Sequence, residues 1–181
     1  MALMIKQEGL IQWPLFVNYG QLSIQRELVA CRTQFRKLKL SAPKIINISD
    51  WGRTISSGIT DKRKRIFEDA FLPGRNMMFL LIAASYAYRK SVHTIAIGLL
   101  NDDSAIFPDQ TPNFCDKAQD LLSVITGTDL RVITPLRAFS KADVVRAAKA
   151  AGIRGTYSCH AGTKAPCGKC VACREYTGIE V

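Results

Sequence analysis

Long apolar runs are missing from this sequence, and with them any segment able to cross a bilayer. The longest apolar-rich stretch, Met77 to Tyr88, falls well short of the roughly 20 residues a spanning helix needs. A secretory leader is missing too. MALMIKQEGLIQW has no basic start, no apolar run and no small-residue cleavage site, and Lys6 and Glu8 interrupt it early. A soluble, intracellular chain is the expectation. Carboxylates are scarce: 15 Asp plus Glu stand against 25 Lys plus Arg, a formal net charge of +10. That balance favours anionic partners, whether nucleotides, nucleic acid, acidic metabolites or an acidic lipid surface. No repeat or low-complexity tract interrupts the chain.

What is present suffices for a core. Of the 181 residues, 48% are hydrophobic and 22% charged, which argues against disorder and allows one domain with a small appendage. Short β-branched runs at Leu15 to Asn18, Lys44 to Ile48, Thr94 to Gly98 and Arg131 to Ile133 predict strands. Between them, Ser23 to Leu38, Asn76 to Arg89 and Asn113 to Ile125 predict helices. The second is almost wholly apolar, which predicts a helix packed into the interior. Ser140-Lys-Ala-Asp143 resembles a capping box opening a further helix, with Gly152 as its stop. Met1 to Gln7 reads as helix where such a pattern should open on a strand. The alternation predicts an α/β fold, a mostly parallel sheet with helices on both faces, whose ligands gather at the carboxyl ends of strands. Residues 1–152 form the expected α/β domain, and 153–181 a small segment that cannot bury a core unaided.

Six cysteines in a reducing compartment suggest metal binding or free thiols before disulfides. Cys159, Cys167, Cys170 and Cys173 are spaced C-x7-C-x2-C-x2-C, and four thiolates so placed can close a tetrahedron around Zn2+ with bonds of roughly 2.3 Å. Gly168 permits a tight turn between two ligands, and Lys164, Lys169 and Arg174 offset the negative charge. A closed four-thiolate shell leaves no position for water, so the expected role is structural. Cys31 lies on a helix's apolar face and reads as core; Cys115 is undecided.

Loop residues carry the remaining chemistry. Asn18-Tyr19-Gly20-Gln21 is either a glycine-centred turn or a set of nucleotide contacts. Pro73-Gly-Arg75-Asn76 opens the apolar helix, whose N-terminus and Arg75 suit a phosphate or carboxylate, or else form a turn with an Asn cap. Gly98 to Asp109, GLLNDDSAIFPD, brings Asp102, Asp103 and Asp109 to a post-strand loop, where carboxylates hold Mg2+, accept amino hydrogens from a base, or are simply solvated. Lys141 stands at a helix start, where its charge opposes the dipole and implies an anion partner. Lys62-Arg-Lys-Arg65 is a solvated run or a phosphate contact.

Taken together, Phe16-Val-Asn-Tyr-Gly-Gln21, Phe71-Leu-Pro-Gly-Arg-Asn76, Gly98 through Phe107-Pro-Asp109, Thr134-Pro-Leu136 with Ser140-Lys141-Ala142, and the cysteine cluster resemble the 7-cyano-7-deazaguanine synthases of the QueC type. The order is right, and nearly the whole chain is covered. The resemblance implies an ATP pyrophosphatase-type α/β fold with a zinc-bearing C-terminal segment. It implies a ligase that uses ATP with Mg2+ to adenylate 7-carboxy-7-deazaguanine, forms the amide with ammonia, and dehydrates it to the nitrile. This nitrile is the precursor of queuosine or archaeosine in tRNA. By the same resemblance Arg75 and Lys141 serve catalysis, and Tyr19, Gly20, Gln21, Arg75 and Asn76 bind the nucleotide. Asp102, Asp103, Phe107 and Asp109 meet the substrate. The partners implied are small molecules in the cytoplasm, with a homodimer allowed and neither nucleic acid nor membrane required.

Three departures from the family pattern stand out. The Ser-Gly-Gly-x-Asp-Ser nucleotide loop is absent, and Met1 to Met4 matches the residues just after that loop, so a late start without the first strand is expected. Gln110 replaces the family's usual Cys, and the Ser57 to Asp69 loop is short. These keep open an amide-forming or conjugating relative of an antiviral system, and a non-catalytic zinc-containing binder of RNA or protein.

Overall fold

The computed structural model describes residues 1–179. Its elements run α1 (Ala2–Gln7), β1 (Leu15–Asn18), α2 (Ile24–Lys37), β2 (Lys44–Asn47), α3 (Ser49–Ile55), α4 (Arg75–Arg89), β3 (Thr94–Ala96), α5 (Pro112–Thr126), β4 (Arg131–Ile133), α6 (Lys141–Ala150) and α7 (Val171–Arg174). Two single 3-10 turns, Asp102–Ser104 and Pro108–Gln110, lie between β3 and α5. The α/β class is as expected, with every strand pairing parallel. The strands form two two-stranded ladders, β1 with β2 and β3 with β4. No helix of the described residues is long and apolar enough to cross a membrane.

The chain divides into two compact units: Met1–Pro73 with the segment from Val145 onward, and Gly74–Val144. The cysteine segment expected over 153–181 is described to residue 179; positions 180 and 181 lie outside the described residues.

In the first unit, β1 and β2 align in register from Leu15 opposite Lys44 to Asn18 opposite Asn47. Lys6 of α1 donates its Nζ to the Leu38 (2.8 Å) and Lys39 (3.3 Å) carbonyls, a cation at the negative end of α2. Two long-range bonds attach α2 to the C-terminal segment: Arg26 Nε to the Gly162 carbonyl at 2.9 Å and Gln34 Nε2 to the Arg154 carbonyl at 2.6 Å. α3 is not foreshadowed by any apolar period. It forms because the Asn47 side chain accepts from the Ser49 amide at 3.1 Å and because Gly52 lets the helix close onto the Tyr19 carbonyl. The basic run is largely paired within the fold. Arg63 forks onto Asp61 (Nη2 to Oδ2 2.8 Å, Nε to Oδ1 3.0 Å), Lys64 donates to the Ser56 carbonyl, and Arg65 pairs with Asp69. Hydrogen bonding to Arg63 holds the Asp61 carboxyl well below the usual carboxylate range.

The second unit is built on α4 and α5. Leu80, Ala84 and Ala87 of α4, Ile95 of β3, Ala118 and Leu122 of α5, and Leu130 ahead of β4 form one buried cluster. The apolar α4 is expected to pack into the interior, and it does so by one face. Within its unit it buries a single stripe, Asn76, Leu80, Ala84 and Ala87, and leaves Tyr88 60% exposed. That spacing is one helical face, the face that meets α5 and β3. α6 opens on the expected capping box: the Ser140 amide donates to Asp143 Oδ2 at 2.8 Å, and the Asp143 amide donates back to Ser140 Oγ at 3.2 Å. Gly152, at φ +67°, follows its last turn.

Candidate functional site

The four cysteines come together as their spacing predicts. The sulfurs of Cys159, Cys167, Cys170 and Cys173 all lie within 4.8 Å of one another. Cys167 Sγ and Cys173 Sγ are 3.9 Å apart, which matches the roughly 3.8 Å edge of a tetrahedron with 2.3 Å metal–sulfur bonds. Backbone geometry supports the sulfurs. The Cys167 amide points at Cys159 Sγ, the Lys169 and Cys170 amides at Cys167 Sγ, and the Cys173 amide at Cys170 Sγ, each at 3.4 Å. Gly168, at φ +70°, makes the turn that lets two amides share one sulfur. Thr163, which no spacing argument singles out, places its hydroxyl 3.6 Å from Cys159 Sγ.

Donors and burial set the thiol chemistry. Burial acts to raise Cys159, but the Cys167 amide, the Thr163 hydroxyl and the Ala161 amide outweigh it and bring it down to about 6. Burial, then the Cys170 thiol, push Cys173 up to about 12. Burial raises Cys170 as well. A cation held by Cys159, Cys167, Cys170 and Cys173 would stabilise all four as thiolates and displace their protons. The cluster packs with Ile66, Tyr157 and Ala161, and the Arg174 guanidinium stacks 3.6 Å from the Phe67 ring centroid. Cys31 is half-buried and Cys115 buried, both outside the cluster.

The Asn18 to Gln21 turn is closed by its own side chains. Asn18 Oδ1 accepts from the Gly20 amide (3.1 Å) and Gln21 Oε1 from the Tyr19 amide (3.0 Å). Gln21 Nε2 donates to the Val17 carbonyl (3.3 Å) and to Glu27 (3.1 Å). Gly20 sits at φ +84°, and a Cβ there would lie 2.7 Å from the Ser49 carbonyl. Tyr19 and Gln21 are buried. Gln21 therefore holds the shape of the turn.

The other site residues belong to the second unit. Gly74, in the left-handed region at φ +77°, is the N-cap of α4, and Arg75 opens the helix. Arg75 makes no ion pair among the described residues. Asn76 is not the cap; it is 4% exposed and reaches Asp109. Its Nδ2 donates to the Asp109 carbonyl (2.8 Å), and its backbone amide donates to Asp109 Oδ2 (3.3 Å). Asp109 thus caps α4 from 33 residues away. Its Oδ1 is buried with no hydrogen-bond partner among the described residues. An unpaired acceptor in that position suits an N–H donor on a ligand.

Gln110 has a definite local task. Its Oε1 accepts from both the Ile106 and Phe107 amides at 2.8 Å, closing the turn that presents Phe107 and Asp109. Asp102 and Asp103 lie in the exposed 3-10 turn, with Asp102 3.4 Å from Arg137 Nη2. Among the described residues, Asp102, Asp103 and Asp109 do not converge as a three-carboxylate group. Lys141 stands at the first position of α6, half-buried.

Asp109→Ala removes the carboxylate at the α4 N-terminus. It is expected to lower the unfolding free energy by about 1 kcal/mol, the usual scale of cap loss. Urea denaturation of the two chains measures it, and an unchanged midpoint rules out capping by Asp109.

The model of the family described as queuosine biosynthesis protein QueC matches residues 1–177. The 7-cyano-7-deazaguanine synthase of Nautilia profundicola is 31% identical over 197 aligned residues, covering 99% of this chain and 89% of that protein. The protein of the same name from Microcystis aeruginosa is 33% identical over 178 residues, covering 88% and 76%. That from Acetivibrio thermocellus is 29% identical over 181 residues, covering 92% and 80%.

Proposed function

Because the chain belongs to the family of queuosine biosynthesis protein QueC, we propose that it is an ATP-dependent carbon–nitrogen ligase making 7-cyano-7-deazaguanine from 7-carboxy-7-deazaguanine and ammonia. The observation that carries this reading is the family match over 1–177, which takes in the α4 start, the Asp109 turn and the cysteine cluster alike.

The chemistry proceeds in two activations. A substrate carboxylate oxygen attacks the α-phosphorus of ATP and pyrophosphate leaves. Ammonia adds to the acyl carbon, gives up a proton, and expels AMP to leave the amide. The amide oxygen then attacks the α-phosphorus of a second ATP and expels pyrophosphate, and loss of AMP together with the two N–H protons yields the nitrile. Each activation develops charge on phosphate oxygens. Arg75 at the α4 N-terminus and Lys141 at the α6 N-terminus supply fixed positive potential for it. Mg2+, when bound, screens the same phosphates. Asp109 Oδ1 accepts an N–H of the guanine-like edge, while Phe107 offers a ring face and Asp102 and Asp103 add acceptors. The turn of Tyr19, Gly20 and Gln21 is assigned a nucleotide-binding role on its resemblance alone. The ion of the four-cysteine cluster is Zn2+ in a structural role, since four thiolates leave no open coordination position.

Pyrophosphate release from ATP should depend on both 7-carboxy-7-deazaguanine and this chain, and mass spectrometry should find the nitrile once ammonium is added. An amide that never converts would reassign the enzyme as an amide-forming relative. No acid-dependent pyrophosphate would end the ligase reading.

A further inference from the structure

Arg137 lies in the connection between β4 and α6, and one of its nitrogens reaches both ends of the acidic loop. Nη1 donates to the Leu100 carbonyl at 2.9 Å and to the Gln110 carbonyl at 2.7 Å. Nη2 stands 3.4 Å from Asp102 Oδ1. The guanidinium end is well sheltered, with the Arg137 side chain 22% exposed against 67% for Asp102. Other bonds fasten single points of the loop: the Asn101 amide to the Phe139 carbonyl (3.1 Å), Gln110 Oε1 to the 106 and 107 amides, and Asn76 to the Asp109 carbonyl. Arg137 ties its beginning to its end. Nη1 uses its two hydrogens on the two carbonyls, while Nη2, buried and without a hydrogen bond among the described residues, faces the Asp102 carboxylate at ion-pair distance.

We propose that Arg137 is a positioning residue that clamps Leu100–Gln110 so that Asp102, Phe107 and Asp109 are preset for the deazapurine acid. The substrate half of this inference rests on the ligase reading above. Arg137 itself touches no reacting atom; it acts through the Leu100 and Gln110 backbone and the Asp102 carboxylate. Misplacing a substrate-orienting group by an ångström can cost on the order of 100-fold in rate. Loss of the clamp should fall on the acid more than on ATP.

Two readouts on the full chain test it. In hydrogen–deuterium exchange followed by mass spectrometry, Arg137→Ala should speed exchange across 100–110 by about tenfold or more, and Arg137→Lys by less. Peptides covering the buried stretches of α4 and α5 should not change. Unchanged exchange in the loop, or a rise throughout the chain, overturns the clamp. In steady-state pyrophosphate release, Arg137→Ala should raise the KM for the acid about 10-fold or more, leave the KM for ATP within about twofold, and be partly restored in Arg137→Lys. Equal shifts in both KM values overturn the specificity role. A wild-type chain silent with the acid overturns the ligase reading and the substrate half with it, while the exchange result judges the clamp alone.

Discussion

Cys170→Ser is expected to abolish stoichiometric zinc and to lower stability more than any other single substitution considered. Cys170 is fully buried, donates its sulfur to the four-cysteine group, and accepts the Cys173 amide as the cap of α7. Serine supplies no thiolate, and three remaining sulfurs hold the ion far less tightly. Structural zinc contributes its binding free energy directly to folding, and in zinc-finger peptides that is about 10–16 kcal/mol. Even partial loss should cost on the order of 5 kcal/mol, or a fall in Tm of about 10–20 °C for a chain of this size. Metal analysis and thermal melting of purified protein read both quantities. Cys31→Ser, outside the cluster, should keep one zinc per chain. If Cys170→Ser also keeps it, with Tm unchanged, the ligand assignment is wrong.

Gly52→Ala should be nearly as damaging, through contact alone. A Cβ at Gly52 would stand 1.7 Å from the Tyr19 carbonyl oxygen and 3.0 Å from its carbon. Both obstructing atoms are backbone, so no rotamer change relieves the clash, and α3 would have to withdraw from the Tyr19–Gln21 turn. Overpacking of this kind costs about 3 kcal/mol or more. Gly98→Ala is the matched control: its nearest obstacle is Leu136 Cδ1 at 3.9 Å, and its φ lies outside the left-handed region. That substitution should be close to neutral. Chemical denaturation of the pair separates them, and equal midpoints would show that α3 does not close on Tyr19 as described.

Much of this was legible without coordinates, and the reasons are local. The strands Leu15–Asn18 and Arg131–Ile133 fall where their β-branched and apolar runs predict, and the Ser140–Asp143 box fastens in the way its spacing implies. Lys44–Asn47 and Thr94–Ala96 are shorter than their apolar runs suggest. Cysteine spacing reaches the cluster because the ligands sit within fifteen residues along the chain. What escapes is made by distant partners. The cap of α4 reads from sequence as Asn76, yet the carboxylate that serves it is Asp109. α3 has no apolar period to announce it and depends on Gly52 meeting a carbonyl 33 positions earlier. Arg137 belongs to no motif, and only the folded loop shows that Leu100 and Gln110 converge on it.

The attachment of α2 to the C-terminal segment has a consequence for the order of events at the ribosome. Arg26 and Gln34 find their acceptors at Gly162 and Arg154, so the unit they belong to is split along the chain. Residues 1–73 emerge first and must wait for the rest of their own core, while Gly74–Val144, contiguous in the chain, has every partner for its buried cluster as soon as it is out. Domains otherwise tend to complete in the order they are made. In this chain the middle is equipped to fold before the beginning, and synthesis must run past Gly162 before α2 can settle.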